Sequence, residues 1–136
     1  MDLTTTISLI DEQVGKPYPR TGYHLLDLES SDDFFDEADG EAARAAWARL
    51  DAERVQLIDA LTDRWGAPER VVLLDRGTRP TSALARELVS LVLEVQAWHR
   101  DGRVVSVGLG QGDKELPVQL VLGVGDLTTS RYPHPH

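Results

Sequence analysis

Residues 94–124 read EVQAWHRDGRVVSVGLGQGDKELPVQLVLGV, and the way that run pairs with itself decides the architecture. Its middle, VVSVGLGQGD at 104–113, carries glycine at 108, 110 and 112, a density at which phosphate-cradling loops begin. Such a loop needs a helix directly after it, so that the first N–H groups of the helix meet the anion. The next residues here are KELPVQLVLGV, with Pro117 and then alternating apolar positions, which predicts a strand. The Walker arrangement fails too, because Lys114 stands between Asp113 and Glu115. Gly108 and Gly110 therefore predict strand positions where the sheet bends, bulges or admits another backbone.

Asp101-Gly102 is a hairpin signal. A two-residue loop there sets Trp98 opposite Val105 and Gln96 opposite Val107, so that the apolar face of one strand meets the polar face of the other. A three-residue loop, Arg100-Asp101-Gly102 with Gly102 in a left-handed bulge, instead sets Leu93, Val95 and Ala97 against Leu109, Val107 and Val105. Sequence reasoning favours that second register, since a slip by one residue inverts every side chain. A four-residue loop, Gly112 to Glu115, then brings Val118, Leu120 and Leu122 to the same face. Residues 88–124 thus predict a three-stranded meander with one aliphatic face. Its outward face would carry Glu94, Gln96, Trp98, Gln119 and the two glycines 108 and 110.

Working outward, residues 41–65 predict one long amphipathic helix stopped by Gly66 and Pro68. Ala43, Trp47, Leu50, Leu57, Ile58, Leu61 and Trp65 fall on one side of it, with Arg54 inside the stripe, its stem packed and its head either snorkelling to solvent or paired with an acid. TTTISLI (4–10) is β-branched and reads as a strand, with TGYHLLDLE (21–29) a second short one. RVVLL (70–74) reads as a central strand, and a short helix capped by Thr81 or Ser82 comes after it. The fold class expected is α+β, an antiparallel sheet of about four to six strands packed on the 41–65 helix. Residues 1–130 make a single domain, and 131–136 read as a frayed tail.

The 136 residues include no cysteine, which removes disulfides, thiolate chemistry and Cys-ligated zinc. The first ten residues lack a basic region and a sustained apolar run, and no segment nears the roughly 18 apolar residues of a membrane helix, so a cytoplasmic location is expected. Residues 1–63 hold 15 acids and 5 bases, a net of −10, while 64–136 hold 8 and 9, a net of +1; together they give the overall −9. An acidic surface repels phosphate backbones and anionic lipid, which argues against nucleic-acid and membrane partners and steers a basic protein inward.

The acids concentrate in DLESSDDFFDEADGE, 27–41, with eight carboxylates and no base. An EF-hand frame with Gly40 at the glycine position would put Phe35 first and Ala46 twelfth, so that template fails. A looser divalent site from Asp32, Asp33, Asp36 and Asp39 is a minor alternative, and acids gathered before a helix start are a structural one. Phe34 and Phe35, the two phenylalanines of the chain, sit inside the block. Acids around an aromatic pair suit a protein-docking surface, or a segment that folds on binding. The histidines (24, 99, 134, 136) form no HxxxH pair, Ser82 has no nucleophile elbow, and nothing calls for a cofactor or resident metal.

The stretch AWHRDGRVVSVGLGQGDKELPVQLVLGV resembles a segment of small uncharacterised actinobacterial proteins that share a Q-x-DKELP turn between two apolar strands. The resemblance covers about residues 95–124, under a quarter of the chain. In size and acidity such proteins are similar to immunity proteins of bacterial toxin systems, which implies a non-enzymatic inhibitor and carries no catalytic residue.

The expectation is a non-enzymatic, acidic protein-binding domain, in concrete form an immunity-type inhibitor of a basic partner. Its docking residues would be Asp32, Asp33, Phe34, Phe35, Asp36, Glu37 and Asp39. Glu94, Gln96, Trp98 and Gln119, with the turn Asp113-Lys114-Glu115, come second. Two alternatives stay open: a secretion-type chaperone-like dimer, and a small-molecule binder or enzyme with a pocket between helix and sheet. The oligomeric state is not legible from sequence.

Overall fold

The computed structural model describes residues 1–132. The elements run α1 (Leu3–Gly15), β1 (His24–Ser30), α2 (Glu41–Trp65), β2 (Glu69–Val72), β3 (Thr78–Pro80), α3 (Ala83–Leu88), β4 (Glu94–Arg100), β5 (Arg103–Gln111), β6 (Val118–Val124) and β7 (Thr129–Arg131). Five strands form an antiparallel sheet in the order β1-β6-β5-β4-β2, and β3 pairs with β7 in a separate ribbon. The α+β class and the 41–65 helix are as the sequence predicts.

The first segment is a helix, not a strand. Asp2 caps it: its carboxylate accepts from the Thr4 N–H at 3.0 Å and from the Thr5 hydroxyl at 2.8 Å. The Thr5 hydroxyl, with the Thr4 amide next, also holds the Asp2 carboxyl below its usual range. Leu3, Ile7, Ile10 and Val14 then share one face, which packs into the core beside α2. Capping and burial of that stripe outweigh the weak strand preference of three consecutive threonines.

The hairpin closes in the two-residue register, not in the three-residue one that the sequence favours. Trp98 pairs with Val105 and Gln96 with Val107. Asp101 (φ 52°) and Gly102 (φ 77°) both take positive φ, as a type I′ turn requires. The three-residue alternative assumes a sheet with one wet face. In fact both faces are covered. On one, Val105, Val107, Leu120, Leu122 and Trp98 pack with Leu50, Leu57 and Leu61 of α2. On the other, Val95 and Val121 pack with Leu84, Ala85 and Leu88 of α3 and with Leu73. With both faces dry, opposing apolar against apolar no longer fixes register, and turn chemistry does. Gln96 is accommodated on the α2 side because Arg54 donates to its Oε1 at 3.1 Å.

The same covering layer explains the glycines. Gly108 and Gly110 lie within β5, and the chain at 88–92 crosses directly over them rather than leaving them outward-facing. A Cβ on Gly110 would stand 1.9 Å from the Leu91 carbonyl oxygen, and one on Gly108 would stand 3.0 Å from a Val95 methyl. The Gln111 N–H donates to that Leu91 oxygen at 3.2 Å. Close backbone approach is thus the reason for glycine here, and no helix comes next to hold a phosphate.

Three smaller departures remain. The β5–β6 connection is wider than four residues, since Gln111 pairs with Val118, although the apolar faces coincide as expected. β2 is an edge strand rather than a central one; it pairs with β4 alone, and fully buried Leu73 lies just past its end. The β3–β7 ribbon has no counterpart in the sequence expectation, and it takes Arg131 out of the expected tail, with Tyr132 N–H donating to Gly77 O at 2.9 Å. The rest of that tail, with His134 and His136, lies outside the described residues. No helix among the described residues is long and apolar enough to cross a membrane.

Gly110→Ala should destabilise the fold by about 3 kcal/mol or more, as overpacking against backbone does. Gly112→Ala, whose Cβ would meet only ordinary contacts beginning at 3.4 Å, should stay within about 0.5 kcal/mol. Urea unfolding of the two variants beside the wild type checks both.

Candidate functional site

The acidic block links β1 to α2, and it is fastened at three points. Ser31 extends the β1–β6 ladder, its N–H donating to Val118 O and its Oγ accepting from Val118 N, both at 2.9 Å. Phe34 turns inward to 8% exposure and joins the core. Its N–H donates to Glu115 O at 2.8 Å. Glu37 then folds back onto the start of α2, its Oε1 accepting from Ala42 N at 2.7 Å and Ala43 N at 3.4 Å. Asp39 Oδ1 accepts from Glu41 N at 3.0 Å. Two of the block's carboxylates therefore satisfy the orphan donors and positive pole of α2.

That leaves Asp32, Asp33, Phe35 and Asp36 exposed on a fixed loop. None of the three aspartate side chains has a hydrogen-bond partner among the described residues, and Phe35 is 58% exposed. Beside them opens a cleft of about 530 Å³, walled by Asp32, Asp33, Asp36 and Glu37, floored by Phe34, Ala42, Ala45 and Ala46, and rimmed by Arg49. The Phe34–Glu115 hydrogen bond brings the turn 113–115 alongside. Asp113, Lys114 and Glu115 are all exposed there, and Gln111 shapes the turn by donating to Lys114 O at 3.2 Å and Leu116 O at 2.8 Å. Two of the three groups singled out from sequence thus come together.

The third does not. Trp98 is 4% exposed; its Nε1 donates to Gly66 O at 2.8 Å, and its ring meets Trp65 edge-on at 5.8 Å. It is a core residue that locks the end of α2 to the sheet. Glu94 and Gln96 share its face, where Glu94 pairs with Arg70. Gln119 sits on the opposite face and donates from Nε2 to both oxygens of Asp27, at 2.9 and 2.8 Å. The expected outward patch is therefore split between two sides of the sheet, because the two-residue turn flips β4 over relative to β5 and β6.

Other candidate side chains are structural in their surroundings. Arg54 pairs with Asp51 at 2.8 Å, one of the two placements its position in the stripe allowed. Trp47, assigned to the same stripe, lies at its margin, 36% exposed, with Nε1 donating to Gln111 Oε1 at 3.1 Å. Among the described residues no three His, Asp or Glu side chains converge as a metal-ligand group. Of the cleft's floor the sequence singles out Phe34 alone, and Ala42, Ala45, Ala46, Ser31 and Gln111 give no signal of the places they take.

No protein-family model, curated protein or solved structure matches this chain.

Glu37→Ala should cost about 1 kcal/mol in stability through loss of its capping bonds, whereas Asp32→Asn should stay within about 0.5 kcal/mol. Thermal or urea unfolding distinguishes the two kinds of acid in the block.

Proposed function

We propose that this is a non-enzymatic binding domain that captures a basic protein through the acidic loop, in concrete form an immunity-type inhibitor covering a cationic cleft. The observation that carries the reading is the state of Phe35: a large aromatic side chain left 58% exposed on a loop whose neighbours are held by hydrogen bonds. An ordered aromatic ringed by unpaired carboxylates is what a docking hot spot for a cationic surface requires, since little side-chain or loop order has to be gained on binding. The overall charge of −9 adds long-range steering. The turn 113–115 widens the surface and contributes two more carboxylates and Lys114.

The pocket-between-layers alternative has less support. The space between α2 and the sheet is occupied by fully buried Leu50, Leu57, Leu61, Val105, Val107, Leu120 and Leu122.

The test keeps the capping acids intact. In Asp32→Asn/Asp33→Asn/Asp36→Asn and in Phe35→Ala the fold should persist, with far-ultraviolet circular dichroism unchanged. Basic proteins held by the immobilised wild type at low salt should be lost from both variants, with retention falling steeply as salt rises. Equal retention of the same proteins by folded variants would contradict the proposal.

A further inference from the structure

β1 is an edge strand of the five-stranded sheet, and its first half borders a second groove, of about 420 Å³. Gln13 and Lys16 line it from the end of α1, on the α2 side of the sheet, while Glu87 lines it from α3, on the other. His24, Leu25 and Leu26 of β1 lie between. A groove walled by elements from both faces and by the strand itself straddles the free edge of that strand. The loop from 16 to 23 is fixed beside it, because Arg103 donates from Nη1 to the Lys16 carbonyl oxygen, which also lies 3.1 Å from His24 Nε2.

Gln13 is the second observation. It is 5% exposed, its side-chain amide has no hydrogen-bond partner among the described residues, and that amide reaches solvent in the groove it lines. An amide open to the groove offers a peptide group one donor and one acceptor. An edge strand likewise presents unpaired N–H and C=O groups on its open side.

We infer that the β1 edge is a strand-addition site, where an extended basic peptide segment of a partner pairs with residues 24–29, with Gln13 bonding its main chain. The charge of the edge selects the occupant. β1 spans about 23 Å at roughly 3.3 Å per residue, bulges between Asp27 and Glu29, and leads on to Asp32 and Asp33. Lys16 stands at the start of the edge, and past Arg20 no Lys or Arg interrupts the chain before Arg44. A segment laid along the edge therefore passes from the Gln13 groove to the acidic cleft, with its cations over carboxylates and its backbone in the sheet. This inference rests on the proposal that the acidic loop docks a basic protein, and it adds the mode of recognition.

The experiment uses the whole chain and a fluorescent peptide of alternating valine and lysine, capped at both ends. Its partner probe is the same peptide N-methylated at alternate residues, which keeps the charge and removes strand donors. The unmodified peptide should bind at low salt, shift the backbone amides of 24–29 and the Gln13 side-chain amide in NMR spectra, and weaken about tenfold or more on N-methylation. Gln13→Met should weaken it about fivefold. Equal binding of both peptides, with shifts confined to 31–39, would overturn the edge site while leaving the acidic-docking proposal standing. No binding of either peptide, or equal binding of an alternating valine–glutamate peptide, would overturn both.

Discussion

At Gly110 a backbone carbonyl, that of Leu91, occupies the space where a side chain would be. That approach lets the 88–92 segment and α3 lie flat on the second face of the sheet, and much else depends on it. It buries Val95, Val121 and Leu73 away from α2. It also accounts for the β4–β5 register. With both faces apolar, neither pairing of the two strands is excluded by exposure, and the Asp101-Gly102 turn settles the choice. Trp98 then falls on the α2 side, where its indole N–H secures the Gly66 carbonyl and so the far end of the long helix.

The acidic block is a second case of one segment doing two jobs. Like charges in sequence are usually read together, but here they divide by geometry. Glu37 and Asp39 turn toward the start of α2 and offset its unpaired donors. Asp32, Asp33 and Asp36 keep their carboxylates in water. The dividing element is Phe34, which anchors the loop in the core and on Glu115 and leaves its neighbour Phe35 outside. One aromatic serves folding, and the other stays exposed.

How much of this was legible depends on how local each signal is. The 41–65 helix was readable to its ends because its apolar spacing, Gly66 and Pro68 are all local. The meander and its glycine positions were readable because alternation over 104–124 is local too. The register was not, since it depends on whether α3 and the 88–92 segment fold back over the second face, which alternation within the strands does not reveal. The helix at Leu3–Gly15 was hidden because three β-branched threonines outweighed, in a short window, the Asp2 cap and the stripe Leu3, Ile7, Ile10, Val14. At the site, the block and the 113–115 turn were visible as residues, while their adjacency rests on one hydrogen bond between Phe34 and Glu115. Trp98 was misplaced on the surface as a direct result of the inverted register.

The most direct test is amide hydrogen exchange read residue by residue by NMR, with attention to Phe34. If the acidic loop is an ordered platform, the Phe34 amide, donating to Glu115 and seated over a buried ring, should exchange about a hundredfold or more slowly than an exposed loop amide such as that of Asp33. Exchange of Phe34 at the same unprotected rate as Asp33 would mean that the loop is not held, and the account of a preformed docking surface would fail.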